Sequence, residues 1–596
     1  MTDAETPLAG YPDADRVERL TAAGPRVEAV LRERIRADGV PGAAWGLVVD
    51  GALVASGGLG VRDAATAAGV DADTVFRIAS MTKSFVAAAV MRLRDAGRLR
   101  LDDRLIDLVP ETAELRYPSA DSTPLDVHDL LTMSAGFPQD DPWADRQLWR
   151  DDADIGALYR QGLSFSTPPG TAYEYSNVGY MLLGRVVTRA SGMPALDYID
   201  REILRPLGMD ATVWSADAVP AERLAQGHRR QDGGWLPEPF LPSGGDVAAF
   251  AGLFSSVRDL ARWVGLFQQA WPPRDDADDA RPLSRGTLRE MQRIWRAFAP
   301  EVRYERLAGA PTVVTGGYGY GLTIRHDGRV ESVGHSGGLP GFGSHMRWVP
   351  GHGFGIVALG NVTYAAMQAA SLEAIDAVLA SARARPRARP PAAATVAARD
   401  AVVRLIDRWD DALADRTFAD NFFADTARAR WRERLTRLGQ RHGALRPSGE
   451  PRWENWLRGS WSMTGDRGHC RVWMTLSPTM PPRVQMLRID SVLPPPPALR
   501  DVLERLVELT ARPSRRALAA LLDTEVDAAA LWRELRIAVA MCGRCRLGAL
   551  LAGDGIRSAE FALDGPFGSV AVAARLGGGG RLDQLRFRPL ERDDSD

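Results

Sequence analysis

Apolar residues recur at helical spacing between Val27 and Arg36, which predicts an amphipathic helix near the start of the chain. A different pattern follows. Ala44 to Val49 and Ala52 to Ala55 are short apolar runs separated by Asp50-Gly51, the signature of a β-hairpin. Two more hairpins are predicted much later: Leu322 to Arg325 with Val330 to Val333 around Asp327-Gly328, and His345 to Val349 with Gly355 to Leu359. Strands at both ends of a region, with helical patterns between them, predict one antiparallel sheet assembled from the two ends and flanked by helices. The fold class is therefore α+β.

Punctuation sets the expected domains. Residues 381–391 alternate proline and arginine without apolar periodicity and read as a solvated linker that extends to 399. Residues 1–24 then form an N-terminal segment and 25–380 one large domain. Beyond the linker the chain echoes itself. Trp431-Arg432-Glu433 recurs as Trp532-Arg533-Glu534 after 101 residues, Gly443-Ala444-Leu445 as Gly548-Ala549-Leu550 after 105, and Arg483 to Arg488 as Arg581 to Arg586 after 98. These echoes predict two diverged α+β copies, 400–492 and 498–590, separated by Pro494 to Pro497. Neither copy carries an identifiable set of catalytic residues, so an accessory role is expected of them.

Composition narrows the function. A net charge of -2, with arginines scattered along the chain, gives no electrostatic basis for nucleic acid or an anionic membrane. The first twenty residues are acidic where an export signal needs a basic start and an apolar run, so a cytoplasmic protein is expected. Three cysteines, Cys470, Cys542 and Cys545, cannot build a paired framework. Cys542-Gly543-Arg544-Cys545 has metal or redox spacing, but without neighbouring ligands its thiols are expected to be ordinary, and no metal or cofactor is expected.

One residue stands out against this background. Lys83 is the only lysine among 74 basic residues, and it sits in Ser80-Met81-Thr82-Lys83. Lysine can be made to surrender its proton where arginine cannot. Positions three apart share a helix face, so Ser80 and Lys83 form a candidate nucleophile with its activator. Tyr175-Ser176-Asn177 offers a phenol to shuttle a proton and an amide to position lysine or substrate. Gly334-His335-Ser336-Gly337-Gly338 follows a strand and can bring a backbone N–H to a substrate carbonyl. It also matches Gly-x-Ser-x-Gly, but Leu339-Pro340-Gly341 cannot start the helix that a nucleophile elbow requires, which counts against Ser336 as nucleophile.

Ser80-x-x-Lys83, Tyr175-x-Asn177 and His335-Ser336-Gly337, in that order, resemble the serine β-lactamase-related superfamily, nearest to its class C β-lactamases, DD-peptidases, D-aminopeptidases and esterases. The resemblance implies a mixed sheet flanked by helices beside an all-helical lobe, and a covalent acyl-enzyme on Ser80 without metal or cofactor. It implies that Lys83 and Tyr175 manage the Ser80 proton, by a neutral lysine or by a tyrosinate beside a charged one. Asn177, His335, Ser336, Gly337 and Gly338 would bind substrate, with the N–H groups of Ser80 and Gly338 facing the oxyanion. Histidine stands at 335 where β-lactamases commonly carry lysine, which weakens the case for a dedicated β-lactamase. The expected substrates are small esters, amides or short peptides. The alternatives are a catalytically silent binding or scaffold protein and a true β-lactamase.

Overall fold

The computed structural model describes residues 10–279, 282–304, 311–327, 330–388 and 390–590. The chain forms two compact units, one of Tyr11–Val302 with Val313–Arg387, the other chiefly of residues from Ala388 onward.

The first unit is built on an antiparallel sheet. Its strands lie in the order Ala68–Gly69, Ala52–Asp63, Gly42–Val49, Phe354–Gly360, Phe342–Val349, Glu331–Leu339, Thr323–His326, Pro311–Tyr318 and Arg296–Ala297, with Glu301–Tyr304 also paired to Pro311–Tyr318. The early hairpin thus lies directly against the last strand, with Trp45 opposite Ala358 and Leu47 opposite Ile356. This is the sheet assembled from both chain ends that the apolar pattern predicts. Of the Asp327-Gly328 turn, Gly328 lies outside the described residues; the flanking strands pair Ile324 with Val333 and His326 with Glu331.

Burial of every residue from Gly42 to Val49 follows from cover on both faces. Trp45, Leu47 and Val49 meet Val27, Leu31 and Ile35 of the helix Gly24–Asp38, together with Ala370, Ala374 and Val378 of the helix Met367–Ala382. Ala44 and Val48 point the other way, into a core shared with the helices Thr82–Asp95 and Val257–Gln268. Short helices and turns between about residues 105 and 291 make the helical lobe, with Asn177–Ser191 as its longest helix.

The compact unit begins earlier than expected. The residues before Gly24 include the helix Arg16–Thr21, and Arg16 is buried, donating to the Asp50 carboxylate (2.7 Å) and to the His352 carbonyl (3.0 Å). Helices also occupy both ends of the expected linker: one runs to Ala382 and the next spans Ala393–Asp407, because the alanine-rich run after Pro391 favours helix over extended chain.

In the second unit the order of three helices and four strands occurs twice, and the strands form one eight-stranded sheet. The copies join where Val492 pairs in parallel with Gly553. Their register drifts, as the echoed strings suggest: the last strands, Val484–Leu493 and Leu582–Pro589, are displaced by 98 residues, as Arg483 to Arg488 against Arg581 to Arg586 implies, but the other two echoes are misaligned. The helix Arg428–His442 corresponds to Ala528–Cys542 and the strand Arg458–Gly465 to Ser558–Gly565, both displaced by 100 residues. Gly443 therefore answers to Gly543, and both have positive φ, 83° and 76°. Gly548 lies inside a strand, so its resemblance to Gly443 is a coincidence of short apolar strings. Among the described residues, no helix is long and apolar enough to cross a membrane.

Candidate active site

Ser80 occupies a 3-10 turn, Ala79–Met81, that leads into the helix Thr82–Asp95. The turn is entered under strain: Ala79 has φ of 50°, a left-handed conformation that a side chain disfavours. Several bonds hold it there. Thr82 Oγ1 donates to the Ala79 carbonyl (2.7 Å), Ile78 N–H donates to the Leu253 carbonyl (2.9 Å), and Ser344 Oγ donates to the Ile78 carbonyl (2.7 Å).

One helical turn on, Lys83 is fully buried. Its Nζ lies 2.9 Å from Ser80 Oγ, 2.6 Å from Asn177 Oδ1 and 3.0 Å from the Phe250 carbonyl. Burial pulls its pKa from 10.5 down to about 7, against the opposing pull of Asp141, Asp140 and Asp145. All three partners can accept from an ammonium; once neutral, the amine keeps two N–H groups for Asn177 and Phe250, whose oxygens can only accept, and turns its lone pair to the Ser80 hydroxyl.

Tyr175 closes the other side of Ser80. Its ring centroid lies 4.8 Å from Lys83 Nζ and its hydroxyl hydrogen-bonds Ser80. Burial pushes its ionisation well above the ordinary phenol range. A tyrosinate is accordingly disfavoured, and of the two ways to manage the serine proton the surroundings favour the neutral lysine. Asn177 opens the helix Asn177–Ser191, where the Asp140 carboxylate accepts from the N–H groups of Asn177 (2.7 Å) and Val178 (2.9 Å). Asn177 Nδ2 donates to Asp141 Oδ1 (2.9 Å), which fixes the amide with its oxygen toward Lys83.

The strand Glu331–Leu339 forms the third wall. Gly337 is required there, since a Cβ would stand 2.1 Å from the Ile78 carbonyl oxygen. Leu339 opposite Phe342 closes the two-residue turn Pro340-Gly341. A hydrogen-bonded pair closes such a turn, so the next pair, Gly338 opposite Gly343, is non-hydrogen-bonded and the Gly338 N–H points away from that neighbour. On the other side, pairing with Thr323–His326 ends at Gly334. Gly338 therefore presents its N–H on an open strand edge.

His335 is placed differently from a ligand-binding imidazole. It is 3% exposed, its Nδ1 lies 2.6 Å from the Ser336 carbonyl and its Nε2 lies 2.9 Å from the Tyr318 hydroxyl. The proton sits on Nδ1, Nε2 accepts, and both nitrogens are engaged within the protein. Burial lowers its pKa to about 3, so the ring is neutral throughout the physiological range. It braces the cleft wall and supplies no cation.

Ser336 has a histidine neighbour that the sequence did not reveal. Its Oγ lies 2.9 Å from His345 Nδ1, and Arg347 Nε donates to His345 Nε2 (3.2 Å). Arginine can only donate, so Nε2 must hold a lone pair and the ring proton resides on Nδ1. His345 thus donates to Ser336 and cannot take its proton. That arrangement removes Ser336 as an activated nucleophile and leaves its own O–H as a donor.

Asp145 is the other residue missed, while Asp140 and Asp141, legible from the sequence only as part of a cleft loop, also act on Lys83. Burial raises Asp140, and raises Asp145 to about 7; the Tyr364 hydroxyl donates to Asp145 Oδ2 (2.7 Å). Outside this constellation, and among the described residues, Asp126, His128 and Asp129 bring potential ligand atoms within 4.8 Å of one another. Their carboxylates are already used: Asp126 accepts from Asp129 N–H and Asp129 from Ser134 Oγ.

The Beta-lactamase family model matches residues 27–380, more than half of the chain. Penicillin-binding protein 4 of Amycolatopsis lactamdurans is 30% identical over 326 residues, 53% of this chain and 79% of that protein. The D-alanyl-D-alanine-carboxypeptidase/endopeptidase AmpH of Escherichia coli (strain K12) is 25% identical, over 47% of this chain and 68% of its own length. Unguisins hydrolase ungD' of Aspergillus campestris is 26% identical, over 50% of this chain and 54% of its own length. Among solved structures, the octameric penicillin-binding protein homologue from Pyrococcus abyssi aligns with a TM-score of 0.51 at 18% identity, covering 94% of this chain and 99% of that one, a likeness of fold.

Proposed function

Because the chain belongs to the Beta-lactamase family, we propose that it is a serine hydrolase that forms an acyl-enzyme on Ser80 with small esters, amides or short peptides. The observation that carries this is Lys83: buried, about 7 in pKa, and 2.9 Å from Ser80 Oγ. The neutral amine takes the serine proton as Oγ attacks the acyl carbon. Ser80 N–H and the edge-facing Gly338 N–H receive the oxyanion. Tyr175, kept protonated by burial, passes its proton to the leaving group and is reprotonated by the lysinium. Water then attacks the acyl-enzyme, with Lys83 accepting its proton and returning it to the departing Ser80 Oγ, which restores the free serine and the neutral amine. Asn177 holds Lys83 in line, and the Ser336 hydroxyl donates to the bound acyl group.

The neutral His335 supports substrates that do not depend on a cation at that position, against a dedicated β-lactamase. Peptides ending in D-residues belong on the test panel because AmpH bears a carboxypeptidase/endopeptidase name. The test is covalent labelling with a fluorophosphonate and turnover of a nitrophenyl ester, a D-amino-acid amide and a chromogenic cephalosporin. Ser80→Ala should abolish labelling and Ser336→Ala should retain it. Failure of the folded wild-type protein to label at Ser80 would instead establish a catalytically silent protein.

A further inference from the structure

The C-terminal unit holds a pair of thiols that the hydrolytic site does not use. The helix Ala528–Cys542 ends at Cys542, and Gly543 (φ 76°, ψ -152°) turns the chain so that Cys545 comes back against it. The Cys542 thiol hydrogen-bonds the Cys545 sulfur, Cys545 S–H lies 3.3 Å from the Gly543 carbonyl, and Thr510 Oγ1 accepts from Cys545 N–H (2.9 Å). The other copy shows what the fold itself demands here. Gly443 makes the same turn (φ 83°, ψ -163°), yet buried His442 and Leu445 stand where the second copy has its two cysteines. The turn does not need thiols. Both thiols are buried, but only Cys545, 6% exposed, lines a cavity of about 610 Å³, together with Arg544, Arg546, Glu504 and Asp564; Cys542, 1% exposed, is not part of that lining.

We propose that Cys542 and Cys545 are a reversible dithiol/disulfide site that exchanges with low-molecular-weight disulfides entering this cavity. Cys545 is the entry thiol. Its thiolate attacks one sulfur of the small disulfide, breaking that S–S bond and releasing one thiol, which takes up the Cys545 proton. Cys542, deprotonating in turn, attacks the Cys545 sulfur of the mixed disulfide and releases the second small thiol. The protein loses two hydrogens and the small disulfide gains them. The hydrogen bond from Cys542 holds Cys545 below the ordinary thiol range, which favours the attacking thiolate. Cys470 provides an internal control, since burial pushes it up to about 12.

The sequence supplies the readout, because Arg544 lies between the two cysteines. The full-length protein is equilibrated with bis(2-hydroxyethyl) disulfide and 2-mercaptoethanol at graded ratios, alkylated, and digested with trypsin without reduction. Oxidising ratios should give Ile537–Arg544 joined to Cys545–Arg546, reversing to two alkylated peptides under reduction, with Cys470 free throughout. Cys542→Ser should trap the small thiol on Cys545, and Cys545→Ser should take up none. Separate alkylated peptides at every ratio, a mixed disulfide persisting in the wild-type protein, or reaction at Cys542 in Cys545→Ser would each overturn the proposal. None of these readouts depends on hydrolysis.

Discussion

Replacing Lys83 by arginine keeps a cation and removes the titratable amine, which isolates what the lysine is for. A lysine titrating near 10.4 would be neutral in roughly one molecule in 2,500 at pH 7. With the pKa at about 7, half are neutral, so burial supplies a gain in competent base of about a thousandfold. Arginine titrates above about 12 and offers almost none. A positioned general base contributes roughly 10² to 10⁴ in rate, and the acylation rate of Lys83→Arg with a fluorophosphonate should fall by about that much at pH 8. The pH dependence gives an independent handle. Lys83 is active in its deprotonated form, so wild-type acylation should rise with unit slope below pH 7 and level off above it, while the variant stays low and flat. The same shift sets a stability trend. The folded pKa lies below the unfolded one, so folding gains stability as pH rises from about 7 to 10.4, and charged Lys83 costs about 5 kcal/mol below that window. Lys83→Met, which removes the amine and the charge, serves as the folding control in thermal melts. Near-normal acylation by a folded Lys83→Arg would refute the neutral-base assignment. So would a wild-type profile with no inflection between pH 6 and 8, a result that stands even if the variant misfolds.

Three further outcomes follow from the cleft. Asp145→Asn removes a carboxylate that holds Lys83 up, so the acid limb of the acylation profile should move to lower pH; a shift upward would contradict the electrostatics. His345→Asn places an amide N–H where Nδ1–H stands and should keep most of the acylation rate, whereas His345→Leu should lose about tenfold, the worth of a hydrogen bond near 1.5 kcal/mol. Equal rates in the two variants would exclude the Arg347-His345-Ser336 chain from orienting the serine. Ala79→Gly relieves the left-handed strain before the nucleophile, offset by the entropy of glycine, and should stabilise the protein by about 0.5–1 kcal/mol in urea titration; destabilisation would show that the turn is not strained.

What could be read from the residue string follows the range of the interactions. Ser80 and Lys83 are legible because one helical turn brings them together, and the hairpin runs are legible because a short apolar run on either side of a turn residue pair is a local signal. Asp140, Asp141 and Asp145 reach Lys83 from another element, and nothing in their own stretch distinguishes such carboxylates from solvated ones. His345 escaped notice for a similar reason: it faces Ser336 only through cross-strand register, which a two-residue turn fixes but a residue string does not display. Two misaligned echoes in the C-terminal copies teach the same point at larger scale. The strand echo at Arg483 and Arg581 holds, but the Gly-Ala-Leu echo sets Gly443 against the wrong glycine; one that must adopt positive φ at a helix end is constrained by geometry, and aligning Gly443 with Gly543 gives the displacement of 100 there at once. That alignment is also what exposes the thiols. Set against His442 and Leu445, Cys542 and Cys545 cease to be interchangeable core residues, because the fold has already shown that it can do without them.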